Sequence, residues 1–189
     1  MDTVSIADEC VSFLAERGVT LAPGLSAQEF RAVEDTFGFE FGPDHRGLLR
    51  LALPSGDDWV DWRQDPEDDL RWRLGSPTEG VLFDVAHNSY WDAGWGPRPE
   101  DDSDAAALAK PHIERWHKLV PIFSHRYTPA APAGPGAPVF SVHQSDVIFY
   151  GSDLLDYFKN EFGSGGMDSF DAGRADLAAY RQWSTIALG

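Results

Sequence analysis

The stretch from Pro121 to Phe162 (PIFSHRYTPAAPAGPGAPVFSVHQSDVIFYGSDLLDYFKNEF) limits the fold more than any other part of the chain. Val120, Ile122 and Phe123 form an apolar, strand-like run that stops at the polar cluster Ser124-His125-Arg126-Tyr127. A Pro/Gly/Ala loop follows, then Val139-Phe140-Ser141-Val142-His143-Gln144, whose polarity roughly alternates with period two. Ser145-Asp146 leads into a second apolar run, Val147 to Tyr150. Gly151-Ser152 opens a helix, with Ser152 the expected N-cap and Asp153 and Asp156 in its electropositive first turn. Leu154, Leu155, Phe158 and Phe162 lie near one helical face, and Gly163 is a natural stop. Strands that feed a helix with polar residues between them hold either a site or a plain core.

The remaining chain narrows the choice. At 189 residues there is room for one well-buried domain and little more. Seven Trp and twelve Phe, in a chain that is 42% hydrophobic, make it globular rather than disordered. Fifteen Lys and Arg against thirty-one Asp and Glu give a formal charge of -16. Such a surface repels nucleic acid and anionic membranes, because binding phosphates requires cationic groups that replace counterions. It attracts a basic protein and speeds their encounter, although charge of this kind also serves solubility alone. The single cysteine, Cys10, rules out an internal disulfide and a cysteine-based zinc cluster. Met1-Asp2-Thr3 lacks the basic region and apolar run of a signal peptide, and no stretch is long enough to span a bilayer, which together predict a cytoplasmic protein.

Hydrophobic spacing predicts an amphipathic helix over residues 4 to 17, ending at Gly18, and a short link from Val19 to Leu25. Ser26-Ala27-Gln28-Glu29 fits a capping box, with Phe30, Val33 and Phe37 at helical spacing and Gly38 as terminator. Pro43 opens a third helix through Leu48, Leu49, Ala52 and Leu53, closed by Pro54. Asp65-Pro66 starts another, ended by Gly75-Ser76-Pro77, and Gly80-Val81-Leu82-Phe83-Asp84-Val85 is a strand candidate. Ser103-Asp104 caps a helix to about Leu119, which Pro111 should kink or split, since an interior proline costs roughly 3 kcal/mol. Gly163-Ser164-Gly165-Gly166 forms a joint, and Leu177, Tyr180 and Trp183 fold back on the body.

The order and wording of these pieces resemble the SUKH superfamily, which groups Smi/Knr-type fungal regulators with many bacterial proteins. The resemblance is carried by Val81-Leu82-Phe83-Asp84-Val85, His87 to Trp91, the Trp95-Gly96-Pro97-Arg98-Pro99 loop and the run from Leu119 to Tyr127. It continues through Pro138 to Val142, Gln144 to Gly151, Asp156-Tyr157 and the late Trp183-Ser184, covering about residues 20 to 185. His143, where a tyrosine is expected, and Pro111 within a helix depart from the pattern. The resemblance implies a single α+β domain over residues 1–189, with a core of about 20–162 and helices packed around a mostly antiparallel β-sheet. It implies protein binding rather than catalysis, with no cofactor. Many bacterial members look like immunity proteins that cover the active surface of a toxin, often a nuclease, and fungal relatives act in regulation of cell-wall synthesis. The expected partner is therefore a basic toxin domain. An intracellular scaffold with several clients is the alternative, and the oligomeric state stays open.

The residues offer chemistry little support. Ser124-His125 and Ser141 with His143 supply serine and histidine, but no G-x-S-x-G turn exposes a nucleophile. Adjacent strand residues point to opposite faces, so Ser124 and His125 are not expected to pair, and His125 and Arg126 are expected to close hydrogen bonds at a strand end. His112 and His117 lie about 140° apart around a helix, unsuited to one metal. A hydrolase or metal enzyme would have to use His125, His143 and Asp146. Without a bulge, Gln144 and Asp146 face the same side of a strand. Asp146 then either caps a turn or the following helix, or lines a cleft with Gln144, Tyr150, His125 and Tyr127. A second candidate surface is Trp59, Asp61 and Trp62, an acid-rich segment in which core packing explains one tryptophan and the other is either core as well or partly exposed as an interface anchor.

Overall fold

In the N-terminal part, side chains that satisfy free backbone amides set where helices begin. The computed structural model describes residues 5–164 and 177–188, so Val4 and the Gly165-Gly166 part of the expected joint lie outside the described residues. Ser5 and Asp8 form a capping box at α1 (Ile6–Glu16). Ser26 and Glu29 form the expected one at α2 (Ala27–Phe37), where the Ser26 amide donates to Glu29 Oε2 at 2.7 Å. Gly38 ends that helix in the left-handed conformation. Pro43 is the first residue of α3 (Pro43–Leu51).

Two short segments differ from expectation. The Val19–Leu25 link contains β1 (Thr20–Pro23), and the expected end of α3 is instead β2 (Ala52–Ser55). The two strands pair antiparallel, from Thr20 opposite Ser55 to Pro23 opposite Ala52. Four residues are too few for a period-two signal, and the pairing joins parts of the chain that local propensity cannot relate.

The largest correction is α4 (Glu67–His87), one helix that absorbs both the expected stop at Gly75-Ser76-Pro77 and the expected strand at Gly80–Val85. Pro77 cannot donate an amide to the preceding turn. Around it, the Ser76 hydroxyl donates to the Trp72 carbonyl at 2.8 Å and the Thr78 hydroxyl to the Gly75 carbonyl at 3.0 Å. Leu70, Pro77, Val81 and Val85 are buried at helical intervals, and that stripe outweighs the strand propensity of the short apolar run. Helix α5 (Asp102–Ile113) is capped by Asp101, which accepts from the Ser103 and Asp104 amides, rather than by Ser103-Asp104. It ends two residues past Pro111, and Leu119 belongs to the next strand. Between α4 and α5 the proline-bearing loop is tied down by Trp91, whose Nε1 donates to the Gly96 carbonyl, and by Arg98, which donates to the Val85 carbonyl.

Strands β3 (Leu119–Phe123), β4 (Arg126–Pro129), β5 (Val139–His143) and β6 (Asp146–Gly151) form an antiparallel sheet in sequence order. Helix α6 (Leu154–Phe162) follows, capped by Asp153 rather than Ser152, and ends at Gly163 as expected. Cross-strand register sorts the sheet into two faces. Tyr127, Phe140, Val142, Val147 and Phe149 join Val81, Val85 and Trp116 in one core, with Tyr180 and Trp183 on α7 (Arg181–Leu188) and its approach. The expected return of the C-terminal segment is seen: Trp183 is fully buried and its Nε1 donates to the His117 carbonyl at 2.7 Å. On the other face, Ile122 and Val139 meet Leu154, Tyr157 and Phe158 of α6 and Cys10 and Leu14 of α1. Burial pushes the Cys10 thiol up to about 12. The architecture is α+β, with helices on both sides of an antiparallel sheet. Among the described residues no helix is long and apolar enough to cross a membrane.

His45 on α3 is 3% exposed, its Nδ1 has no hydrogen-bond partner, and burial lowers its pKa to about 3. The unfolded chain therefore binds a proton at His45 near pH 6.5 that the folded chain refuses, and stability falls as pH drops from 6.5 towards 3. This slope, at most about 1.4 kcal/mol per pH unit, begins above the range in which carboxylates titrate. Urea unfolding at pH 7.5, 6 and 5 is expected to show the decline in the native chain and a flatter dependence in His45→Leu.

Candidate functional site

Strands β3–β4 and β5–β6 each reverse in two residues, Ser124-His125 and Gln144-Ser145. Arg126 pairs with Ser141, and the Val142 amide donates to the His125 carbonyl, so both turns lie at one end of the sheet. The first residue of each turn is left-handed, Ser124 at φ 47 and Gln144 at φ 58, a position that tight hairpins normally give to glycine or asparagine. Asp58, at φ 69, arrives alongside, and its carbonyl accepts from the Ser124 amide at 2.8 Å.

Helix α4 crosses this end of the sheet. A Cβ on Gly80 would sit 2.9 Å from Gln144 Cα, so only glycine lets the helix and turn touch backbone to backbone. One turn on, buried Asp84 accepts from the Ser145 amide at 2.8 Å, from the Ser145 hydroxyl, and from Asn88 Nδ2 at 2.6 Å. Burial alone would raise the Asp84 carboxyl, but these hydrogen bonds outweigh it and hold it below the usual carboxylate range.

Between α4 and the two turns lies a cleft of about 440 Å³. From α4 it takes Trp72, Arg73, Ser76 and Gly80. From the sheet come Tyr127, Val142 and His143, and from the turns Ser124, His125 and Gln144, with Asp58 completing the wall. Three of the four left-handed non-glycine residues among the described residues line this cleft, the other being Ser89. Backbone strain of this kind collects where the surrounding structure holds a site in place. A wider depression of about 740 Å³, walled by Arg31, Glu34, Asp35 and Glu40, brings together none of the residues expected from sequence.

The cleft thus unites His125, Tyr127 and Gln144 but not Asp146 and Tyr150. Gln144 lies in the turn itself, so the strand does not run on to Asp146 and the same-side expectation does not apply. Asp146 is exposed and opposes His143 across the hairpin, and the turn's amide goes to Asp84 instead. Tyr150 lies on the opposite face, where the Arg126 guanidinium rests 4.0 Å from its ring centroid. Arg126 also donates to Glu161 at 2.9 Å and to the Ser141 hydroxyl at 3.0 Å, so it fills the bracing role expected of it.

Trp59 and Trp62 are 9% and 5% exposed, which corrects the expectation of an exposed anchor there. Trp59 packs against Phe123, Phe158 and Phe162, and Trp62 against Phe37, Phe39 and Phe41. Asp61 closes a local turn, accepting from the Arg63 and Gln64 amides. The exposed tryptophan is Trp72, at 71%. It went unnoticed because the chain around it reads as a helix about to end, with Leu70 and Leu74 as apolar company.

Ser124 Oγ lies 3.1 Å from His125 Nδ1, so the two do meet, because in a turn the alternation of strand faces does not hold. Burial, with Arg126 behind it, lowers the His125 pKa and leaves the ring neutral at pH 7. Among the described residues no carboxylate hydrogen-bonds that ring, and an activated nucleophile requires its base to be oriented by such a third group. Among the described residues no group of three or more His, Cys, Asp or Glu side chains is placed to hold a metal ion. His112 stacks on Trp95, while His117 Nε2 lies 2.7 Å from the Ala130 carbonyl. No protein-family model, no curated protein and no solved structure matches the chain.

Asp84→Ala removes the acceptor for a turn amide and leaves it without a partner, which is expected to cost about 2 kcal/mol of stability by denaturant unfolding. Ser145→Ala, which spares the amide bond, is expected to cost less than half as much.

Proposed function

We propose that the chain is a non-enzymatic protein-binding domain of the immunity type, which neutralises a basic toxin domain by covering its active surface. The observation that carries this reading is Trp72, an indole 71% exposed on α4 in a chain of charge -16. A tryptophan left this bare forfeits burial that Trp59, Trp62, Trp116 and Trp183 obtain. Its helix neighbours Asp68 and Asp69, one turn earlier, are exposed acids, and Asp58 lies across the cleft. On the Asp68 and Asp69 side of the indole, away from Arg73 in the cleft, a partner's lysine or arginine side chain can stack on the ring while its charge meets those carboxylates. The α+β class agrees with what the SUKH resemblance implies, and a cytoplasmic location belongs to the same reading.

The partner to test is a toxin domain encoded by a neighbouring gene. Its association rate is expected to fall at least about tenfold between low and physiological-to-high salt, because the acidic surface steers the encounter. Trp72→Ala is expected to weaken the complex by about thirtyfold, a loss of about 2 kcal/mol, and to abolish protection of cells expressing the toxin. Full protection by Trp72→Ala would overturn the docking face, and absence of any complex would overturn the pairing.

A further inference from the structure

We infer that the cleft beside Trp72 binds a free α-amino acid with a flat side chain, a ligand separate from the protein partner proposed above. Arg73 and Asp58 both line the cleft, yet neither forms an ion pair with the other or with any other group among the described residues. Their one link is a long 3.5 Å hydrogen bond from Arg73 Nη1 to the Asp58 backbone carbonyl, at the outer limit for such a bond. Its neighbour Arg71, two residues away on α4, bonds Glu67, and Arg126 at the same end of the sheet bonds Glu161. A half-buried guanidinium and a carboxylate that share a cleft without meeting leave both charges open to a ligand.

A simple anion would satisfy Arg73 and be repelled by Asp58, and a simple cation would meet the reverse. A zwitterion satisfies both. The planar fork of Arg73 takes the α-carboxylate through two parallel hydrogen bonds, and Asp58 takes the α-ammonium. A flat side chain then stacks on the exposed Trp72 indole at the mouth of the cleft, where aromatic contact adds to burial. The volume of about 440 Å³ falls within the range of small-ligand sites and accommodates an aromatic amino acid. The relative placement of the two charges is set by backbone, since Asp58 is held left-handed and its carbonyl is tied to the Ser124 amide.

The test is calorimetric and ¹⁵N NMR titration of the full chain with L-phenylalanine. Saturable binding is expected, with shifts centred on the Trp72 indole N–H. Two analogues separate the contacts: N-acetyl-L-phenylalanine lacks the ammonium and L-phenylalanine amide lacks the carboxylate. Each is expected to bind at least about tenfold more weakly, the usual scale for a lost charged hydrogen bond. Arg73→Gln and Asp58→Asn, the latter suited to a left-handed position, are expected to weaken L-phenylalanine by the same factor. Arg73→Gln should not weaken the amide further, since the amide has no carboxylate for Arg73 to hold and its ammonium is repelled by that charge. Absence of saturable binding, shifts remote from Trp72, undiminished binding of either analogue, or undiminished binding by either variant would overturn the site. Because no partner protein takes part, failure here leaves the protein-binding reading standing, and loss of the toxin complex leaves this site standing.

Discussion

Two backbones in contact organise this molecule: α4 at Gly80 and the β5–β6 turn at Gln144. A side chain on Gly80 would collide with Gln144 Cα, so the helix approaches the sheet as closely as peptide groups permit. Asp84 then holds the same turn through the Ser145 amide and hydroxyl. This junction places Val81 and Val85 on the sheet's inner face and leaves Trp72 and Arg73 projecting beside the turns. Core, cleft and exposed tryptophan therefore follow from one approach, and a helix broken at Pro77 would support none of them.

The aromatic residues divide according to what each can reach. Trp59 and Trp62 find rings of three phenylalanines each and are buried. Trp72 lies on the same helix as buried Leu70 but points the other way, because two residues turn a helix by about 200°. Charge divides similarly. Arg126 is locked by Glu161, Ser141 and Tyr150 on the face that packs against α6, while Arg73 faces an open cleft. The first arginine braces the sheet. The second is available to a ligand.

Much of the fold was legible from local rules. The box at Ser26 and Glu29, the start at Pro43 and the apolar runs that form β3, β5 and β6 rest on contacts within a few residues or on a clear period, whereas β4 (Arg126–Pro129) reads as a polar cluster running into a loop. The failures have specific causes. Gly75-Ser76-Pro77 carries the wording of a helix stop, and only the hydroxyls of Ser76 and Thr78, together with the buried stripe on either side, keep the helix going. The β1–β2 pair is too short to announce itself. Of the candidate site, His125, Tyr127 and Gln144 were legible as polar residues at or between strands, though not as turn residues, whereas Trp72, Arg73 and Asp58 come from a distant segment.

By itself the sequence determined the strongly acidic charge, the capped helix starts and the strand-like runs around Val120, Val139 and Val147. These depend on composition and on patterns repeated every two to four residues, which local physics translates directly. Only the tertiary structure decided which tryptophan is bare, that Arg73 and Asp58 line one cleft without an ion pair, and that three left-handed residues share it. Those properties belong to the space between segments, and no pattern within a segment reports what another segment leaves uncovered.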